Sequence, residues 1–283
     1  MSLHTIGNGA LTAQIDSHGA QLRSLRHDRV EYLWGAGDPW NWSAPVLFPL
    51  ISGLPNNVLQ HNGQRYEIPS HGFARRTEWE VIGPAAFELR ASEATGAQYP
   101  FEFRLRISFA VTDRLTVSHD VTNEGDEPLP YLLGGHPAFR WPLPGSTGEH
   151  EVSWSRGGET MRQAVNGLRP GRIPSPALDG RLPLLKHYFA EDALLFDDLE
   201  PRAVTYTAPG AARLTMHYDD FRVLGIWSKS QGADFVCLEP WTGYPAPQGF
   251  DGDITTLPGI ELLAPGETRS VSYSIAIEGA DLA

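Results

Sequence analysis

The chain has 283 residues, 41% of them hydrophobic, with 22 Lys and Arg against 34 Asp and Glu and a formal net charge of −12. That field disfavours nucleic acid and anionic membranes as partners, since both need positive charge on the protein. The ordinary apolar content excludes a disordered chain, and no apolar run approaches the roughly 20 residues that crossing a bilayer takes.

From the N-terminus, MSLHTIGNGA lacks the basic stretch and apolar core of a secretory signal. Leu11, Ala13 and Ile15 then alternate with polar residues, which predicts a strand with one buried face. Asn62-Gly63 reads as a tight turn. The segment 104–111, RLRISFAV, places Leu105, Ile107, Phe109 and Val111 on one face, and after Thr112-Asp113-Arg114 the segment LTVSHDV alternates again. This predicts an antiparallel hairpin with His119 on its buried side.

The Pro- and Gly-rich segments 141–150 and 166–183 read as long loops. Cys237 is the only cysteine, so no intrachain disulfide can form and a reducing cytoplasm is the expected compartment. Asp251-Gly252 and Pro265-Gly266 are further turn signals, and Val271, Tyr273, Ile275 and Ile277 mark a last alternating strand. Short strands punctuated by 23 prolines and 29 glycines predict an all-β chain, a large antiparallel β-sandwich with few or no long helices. No repeat or change of composition divides it, so residues 1–283 read as a single domain.

Three stretches interrupt the alternation with ionisable groups among glycines, prolines and aromatics: SHGFAR at 70–75, GGHPAF at 134–139, and VCLEPWTG at 236–243. Two histidines and a carboxylate are enough for paired general acid and general base work near neutral pH. Glu239 follows an apolar run and precedes Trp241, so its solvation should be poor and its proton affinity raised. Trp241 is amphipathic enough to stack on a sugar face, although as a core aromatic it needs no such role.

Metal is not expected from His71, His136 and Glu239, which are separated by 65 and 103 residues with no short ligand spacing. Gly134-Gly135 continues into neither GxGxxG nor a P-loop, and no GxSxG elbow is present. The remaining histidines, His4, His18, His27, His61, His150, His187 and His217, lie in polar or loop-like surroundings and are expected to face solvent.

Taken in order, HGFAR, GGHPAF and EPWTG resemble the aldose 1-epimerase (galactose mutarotase-like) family, in its smaller bacterial branch. Gly19-Ala20, Phe48-Pro49, the 122–125 turn TNEG, Asp192 with the following ALLF, and Gly259-Ile260 extend the resemblance over nearly the whole chain. It implies a large antiparallel β-sandwich that interconverts the anomers of a small aldose without metal or organic cofactor. By the same resemblance Glu239 is the general base, His136 the general acid, His71 a contact near the ring oxygen, and Asp192 a ligand of sugar hydroxyls.

Many relatives carry an arginine after the glycine of the segment matching FPLISG, whereas this chain has Leu54; Arg75 is the candidate to supply the guanidinium instead. Two alternatives stay open. One is a hexose-6-phosphate 1-epimerase using Arg75, Arg76 and Arg23 for the phosphate, and the other is a non-catalytic carbohydrate-binding protein. For the catalytic reading, a bell-shaped pH profile is expected, with its acidic limb from Glu239 and its basic limb from His136.

Overall fold

The computed structural model describes residues 2–165, 167–229 and 233–279. Its strands form two large antiparallel sheets and smaller satellites. The nine-stranded sheet centres on Thr268–Glu278, Leu115–Asn123 and Phe103–Val111. In the eight-stranded sheet, Phe235–Trp241 lies between Val223–Trp227 on one side and Gly134–Gly135 with Ala138–Arg140 on the other. A four-stranded N-terminal sheet starts with Leu3–Gly7 and Leu11–Asp16. Among the described residues, the only α-helical turn is Glu93–Gly96, as the missing 3.6-residue periodicity implies.

The predicted hairpin pairs Phe103–Val111 with Leu115–Asn123 in a register that sets Val111 opposite Leu115. Phe103, Leu105, Ile107 and Phe109 are buried and alternate with outward-facing polar positions. Each such side chain contributes roughly 1.5–3 kcal/mol by leaving water. His119 lies on the same buried face, opposite Val271, and stacks on Tyr273 with ring centres 5.9 Å apart. Asn62 and Gly63 take positive φ values of 48° and 74° and close the two-residue hairpin between Val58–His61 and Gln64–Glu67.

The two large sheets face each other. A Cβ added to Gly135 would lie 2.8 Å from the Tyr273 ring of the opposite sheet, and the Tyr206 hydroxyl donates to the Arg140 carbonyl at 3.0 Å. Phe48 meets Phe103 across the same interior at 5.0 Å between centroids. Strand Phe235–Trp241 is buried along its whole length. Its alternation sends Val236 and Leu238 into the main core, whereas Phe235 and Cys237 join Ala138 and Ala233 beneath Trp34, Trp40 and Trp227. Glu239 is the next residue on that outer face.

Three expectations need correction. His61 and His150 are buried, not solvent-facing, because each packs beside an aromatic ring, Phe101 and Tyr206 respectively, and finds a polar partner. His150 Nε2 accepts from the Leu143 amide at 2.9 Å, which fastens the 141–150 loop to itself, and His61 Nδ1 lies 3.3 Å from Asp253. The 166–183 segment is not wholly irregular: Ile173–Pro174 and Arg181–Pro183 pair at the outer edges of the two sheets, while Asn166 lies outside the described residues.

Candidate active site

On the outer face of the eight-stranded sheet is a cavity of about 320 Å³ whose wall includes His71, Arg75, His136, Asp192, Glu239 and Trp241. All six residues singled out from the sequence therefore meet in one place. Trp40, Trp42, Trp227, Ser52 and Ser70 complete the parts of the wall that matter chemically.

Glu239 sits opposite Gly225 on the neighbouring strand, where a side chain would crowd both the Glu239 Cβ at 3.4 Å and the Trp241 ring at 3.1 Å. His136 leaves the short Gly134–Gly135 strand just before Pro137, so its backbone is biased toward an extended form. The two side chains meet with His136 Nε2 3.0 Å from Glu239 Oε2. Trp40 lies over the imidazole at 5.0 Å and Trp227 meets it edge-on at 5.7 Å.

Burial pushes the Glu239 carboxyl well above its ordinary value, and the nearby Asp192 adds to the rise, against smaller opposing effects of Trp241 and Arg75. Burial also pulls His136 well below its ordinary value, helped by His71 and Arg75. Both shifts favour uncharged forms, so the pair holds one proton between its members over a wide pH range. This changes the expected assignment of the pH limbs. For the catalytic reading, the acidic limb becomes uptake of a second proton by the pair, and the basic limb loss of the shared one.

His71 has φ 63°, in the left-handed region, and Gly72 follows at φ 68°. A Cβ on Gly72 would overlap the Phe48 carbonyl oxygen, so glycine is required there. His71 Nδ1 accepts a hydrogen bond from the Ser52 amide at 3.1 Å. A neutral ring that accepts at Nδ1 carries its proton on Nε2. Burial, then Arg75 and Arg76, hold its pKa down at about 3, so His71 is a neutral Nε2–H donor at physiological pH.

Arg75 donates from Nη2 to the Ser70 carbonyl at 2.9 Å and stacks over Trp42 at 5.0 Å. Burial and Arg76 lower its pKa to about 10, which leaves it charged at neutrality. Asp192 is partly exposed, accepts from the Ala193 amide, and has its carboxyl raised mainly by burial. Leu54 is buried in the hydrophobic core, so the position where relatives carry an arginine is apolar packing here. Two side-chain nitrogens at the site, His136 Nδ1 and Arg75 Nε, are buried without a protein hydrogen-bond partner. A cavity walled by such groups suits a ligand dense in hydroxyls.

The glycines before His136 serve packing. A Cβ on Gly134 would sit 2.6 Å from the Trp241 ring, and one on Gly135 would strike Tyr273. Trp40 and Trp42 escaped the sequence reading, although Trp-x-Trp after Pro39, outside any alternating run, is the signal that could have found them. Cys237, one residue pair before Glu239 on the same face, brings a thiol to the back of the site. Candidate ligand atoms of His136, Cys237 and Glu239 all lie within 4.8 Å of one another.

Comparison with known proteins places this architecture. The family model for aldose 1-epimerase matches residues 2–248. The chain is 30% identical to the chromosomal protein LacX of Lactococcus lactis subsp. lactis, covering 95% of this chain and 97% of that one. A galactose mutarotase-like protein from Lactobacillus casei ATCC 334 superposes with a TM-score of 0.90 at 27% identity, over 98% of this chain and all (100%) of that one. A galactose mutarotase related enzyme from Lactobacillus acidophilus gives 0.89 at 27% identity, over 99% and 98%.

Proposed function

The chain belongs to the aldose 1-epimerase family, and from that membership we propose that it interconverts the α and β anomers of a free aldose, with Glu239 and His136 moving the two protons. The observation that carries this reading is the 3.0 Å contact between the two groups in the cavity wall. The oxygens they must serve, O1 and the ring O5, are both bonded to C1. Acid and base placed side by side can therefore address them together.

Burial favours the resting pair with its proton on the carboxyl; transfer across the contact gives carboxylate and imidazolium. Glu239 then takes the O1 proton while His136 protonates O5 as the C1–O5 bond breaks. The aldehyde turns about C1–C2, and closure on its other face returns both protons to their sources. The pair is regenerated and no net proton is consumed. His71, with its tautomer set by Ser52, donates from Nε2 to the ring oxygen or an adjacent hydroxyl. Asp192 accepts from hydroxyls, Arg75 donates where relatives use an arginine at the Leu54 position, and Trp241 offers an apolar edge to the ring.

Charge favours a free sugar over a sugar phosphate. Among the described residues of the wall the one fixed cation is Arg75, already bonded to Ser70, and it shares that wall with the carboxyls of Asp192 and Glu239. Arg76 is exposed over the same indole, Trp42, and Arg23 is not part of the wall. The test is proton NMR of anomer exchange on freshly dissolved α-glucose, α-galactose and glucose 6-phosphate. Acceleration of a free aldose supports the proposal, acceleration of the phosphate ester alone overturns the substrate, and binding without exchange overturns catalysis.

A further inference from the structure

We propose that His136, Cys237 and Glu239 form a binding site for a thiophilic divalent cation of the zinc type, and that occupation of this site switches off the acid–base pair. The site follows from the strand. Cys237 and Glu239 are two residues apart on Phe235–Trp241, so both project to its outer face, and Ala138 pairs with Cys237 in a register that brings the preceding His136 alongside. Imidazole nitrogen, thiol sulfur and carboxylate oxygen then lie within 4.8 Å of one another, and all three residues are buried.

This donor set matches the preference of zinc for Cys, His and carboxylate ligands, with three protein ligands and one position left open. Ligand atoms around tetrahedral zinc are roughly 3.3–3.8 Å apart, given metal–ligand bonds of about 2.0–2.3 Å. The His136 Nε2–Glu239 Oε2 separation is 3.0 Å and every pair of ligand atoms lies within 4.8 Å, so the present spacing brackets that range. The cavity supplies the route of entry and the fourth ligand, a water. Binding converts the thiol to thiolate and displaces the proton shared by His136 and Glu239, and both protons leave to solvent.

The site is inhibitory and exchangeable, not the seat of a resident cofactor. The positive charge of Arg75 acts on both His136 and Glu239 and opposes a cation. The metal would also occupy the His136 and Glu239 lone pairs that ring opening requires. Cation and sugar should therefore compete. Cys237 has no part in the proton transfers, so it separates metal binding from catalysis.

Cobalt(II) titration of the purified full chain tests the site directly, because a thiolate–cobalt charge-transfer band in the near ultraviolet can come only from the single cysteine. A saturable one-to-one band, displaced by zinc and missing in both Cys237→Ser and Cys237→Ala, is the expected result. Loss of an outer partner alone weakens metal binding about 10–100-fold, so zinc inhibition of anomer exchange should weaken at least tenfold in the folded cysteine variants, with the metal-free rate retained. Absence of the band, or equal zinc inhibition in wild type and both variants, overturns the proposal. The kinetic half rests on the function proposed above, but the cobalt band does not. A protein that shows the band and exchanges no sugar would contradict that function and leave the metal site standing.

Discussion

His136 Nε2 and Glu239 Oε2 are 3.0 Å apart, with side chains only 7% and 2% exposed. In water such neighbours would titrate as an ordinary ion pair. Sealed beneath Trp40 and Trp227, they are held toward their uncharged forms and share a proton, so each can give or take one without a lasting buried charge.

The pH dependence follows from the signs of the two shifts. His136 is lowered from 6.5 and Glu239 raised from 4.5, so uptake of a second proton falls below 6.5 and loss of the shared one falls above 4.5. We expect kcat/KM, after subtraction of the spontaneous rate, to have its acidic limb below pH 6.5. An acidic limb at or above that value would mean that the pair is not held as described.

Because the two groups act as a unit, their removal should not be additive. Glu239→Gln and His136→Gln should each lower the rate about 10²–10⁴-fold, and the double variant should be little slower than the worse single one. A double variant whose loss is the product of the two would show independent roles.

His71 separates positioning from chemistry. Asparagine tolerates the left-handed backbone at this residue, so His71→Asn should fold normally while losing the Nε2–H donor. A loss of about 10²–10³ in rate is expected, as for removal of a preorganised donor. His71→Gln, which returns an amide N–H near the Nε2 position, should recover part of it. Equal loss in both would assign His71 to packing.

His119 provides a stability test away from the site. Its folded pKa is lowered to about 4 by burial, against an ordinary 6.5. The unfolded chain therefore binds the extra proton first, and the stabilising contribution is complete above pH 6.5 and lost as pH falls toward 4. Over that window it should steepen the fall in stability by up to about 1.4 kcal/mol per pH unit. Denaturant unfolding at several pH values should show a shallower slope for His119→Gln.

Gly72→Ala places a Cβ against the Phe48 carbonyl at a positive φ. It should cost about 1–3 kcal/mol or more and disturb the adjacent His71, read as a lower Tm together with reduced activity.

The sandwich was legible because strand alternation is local: Leu105, Ile107 and Phe109 declare their shared face within a few residues. The His136–Glu239 contact was not, since it depends on the pairing of Ala138 with Cys237, which only the folded sheet sets. His61 and His150 looked polar from their neighbours, yet the residues that cover them come from elsewhere. The need for glycines in GGHPAF was not legible either, since Trp241 and Tyr273, which exclude a side chain there, come from distant strands.

The most direct measurement is anomer exchange by NMR on α-glucose and α-galactose with wild type and Glu239→Gln, alongside sugar binding by both. The account predicts acceleration by wild type, near-complete loss in the variant, and binding retained by both. Exchange by Glu239→Gln at the wild-type rate would contradict it.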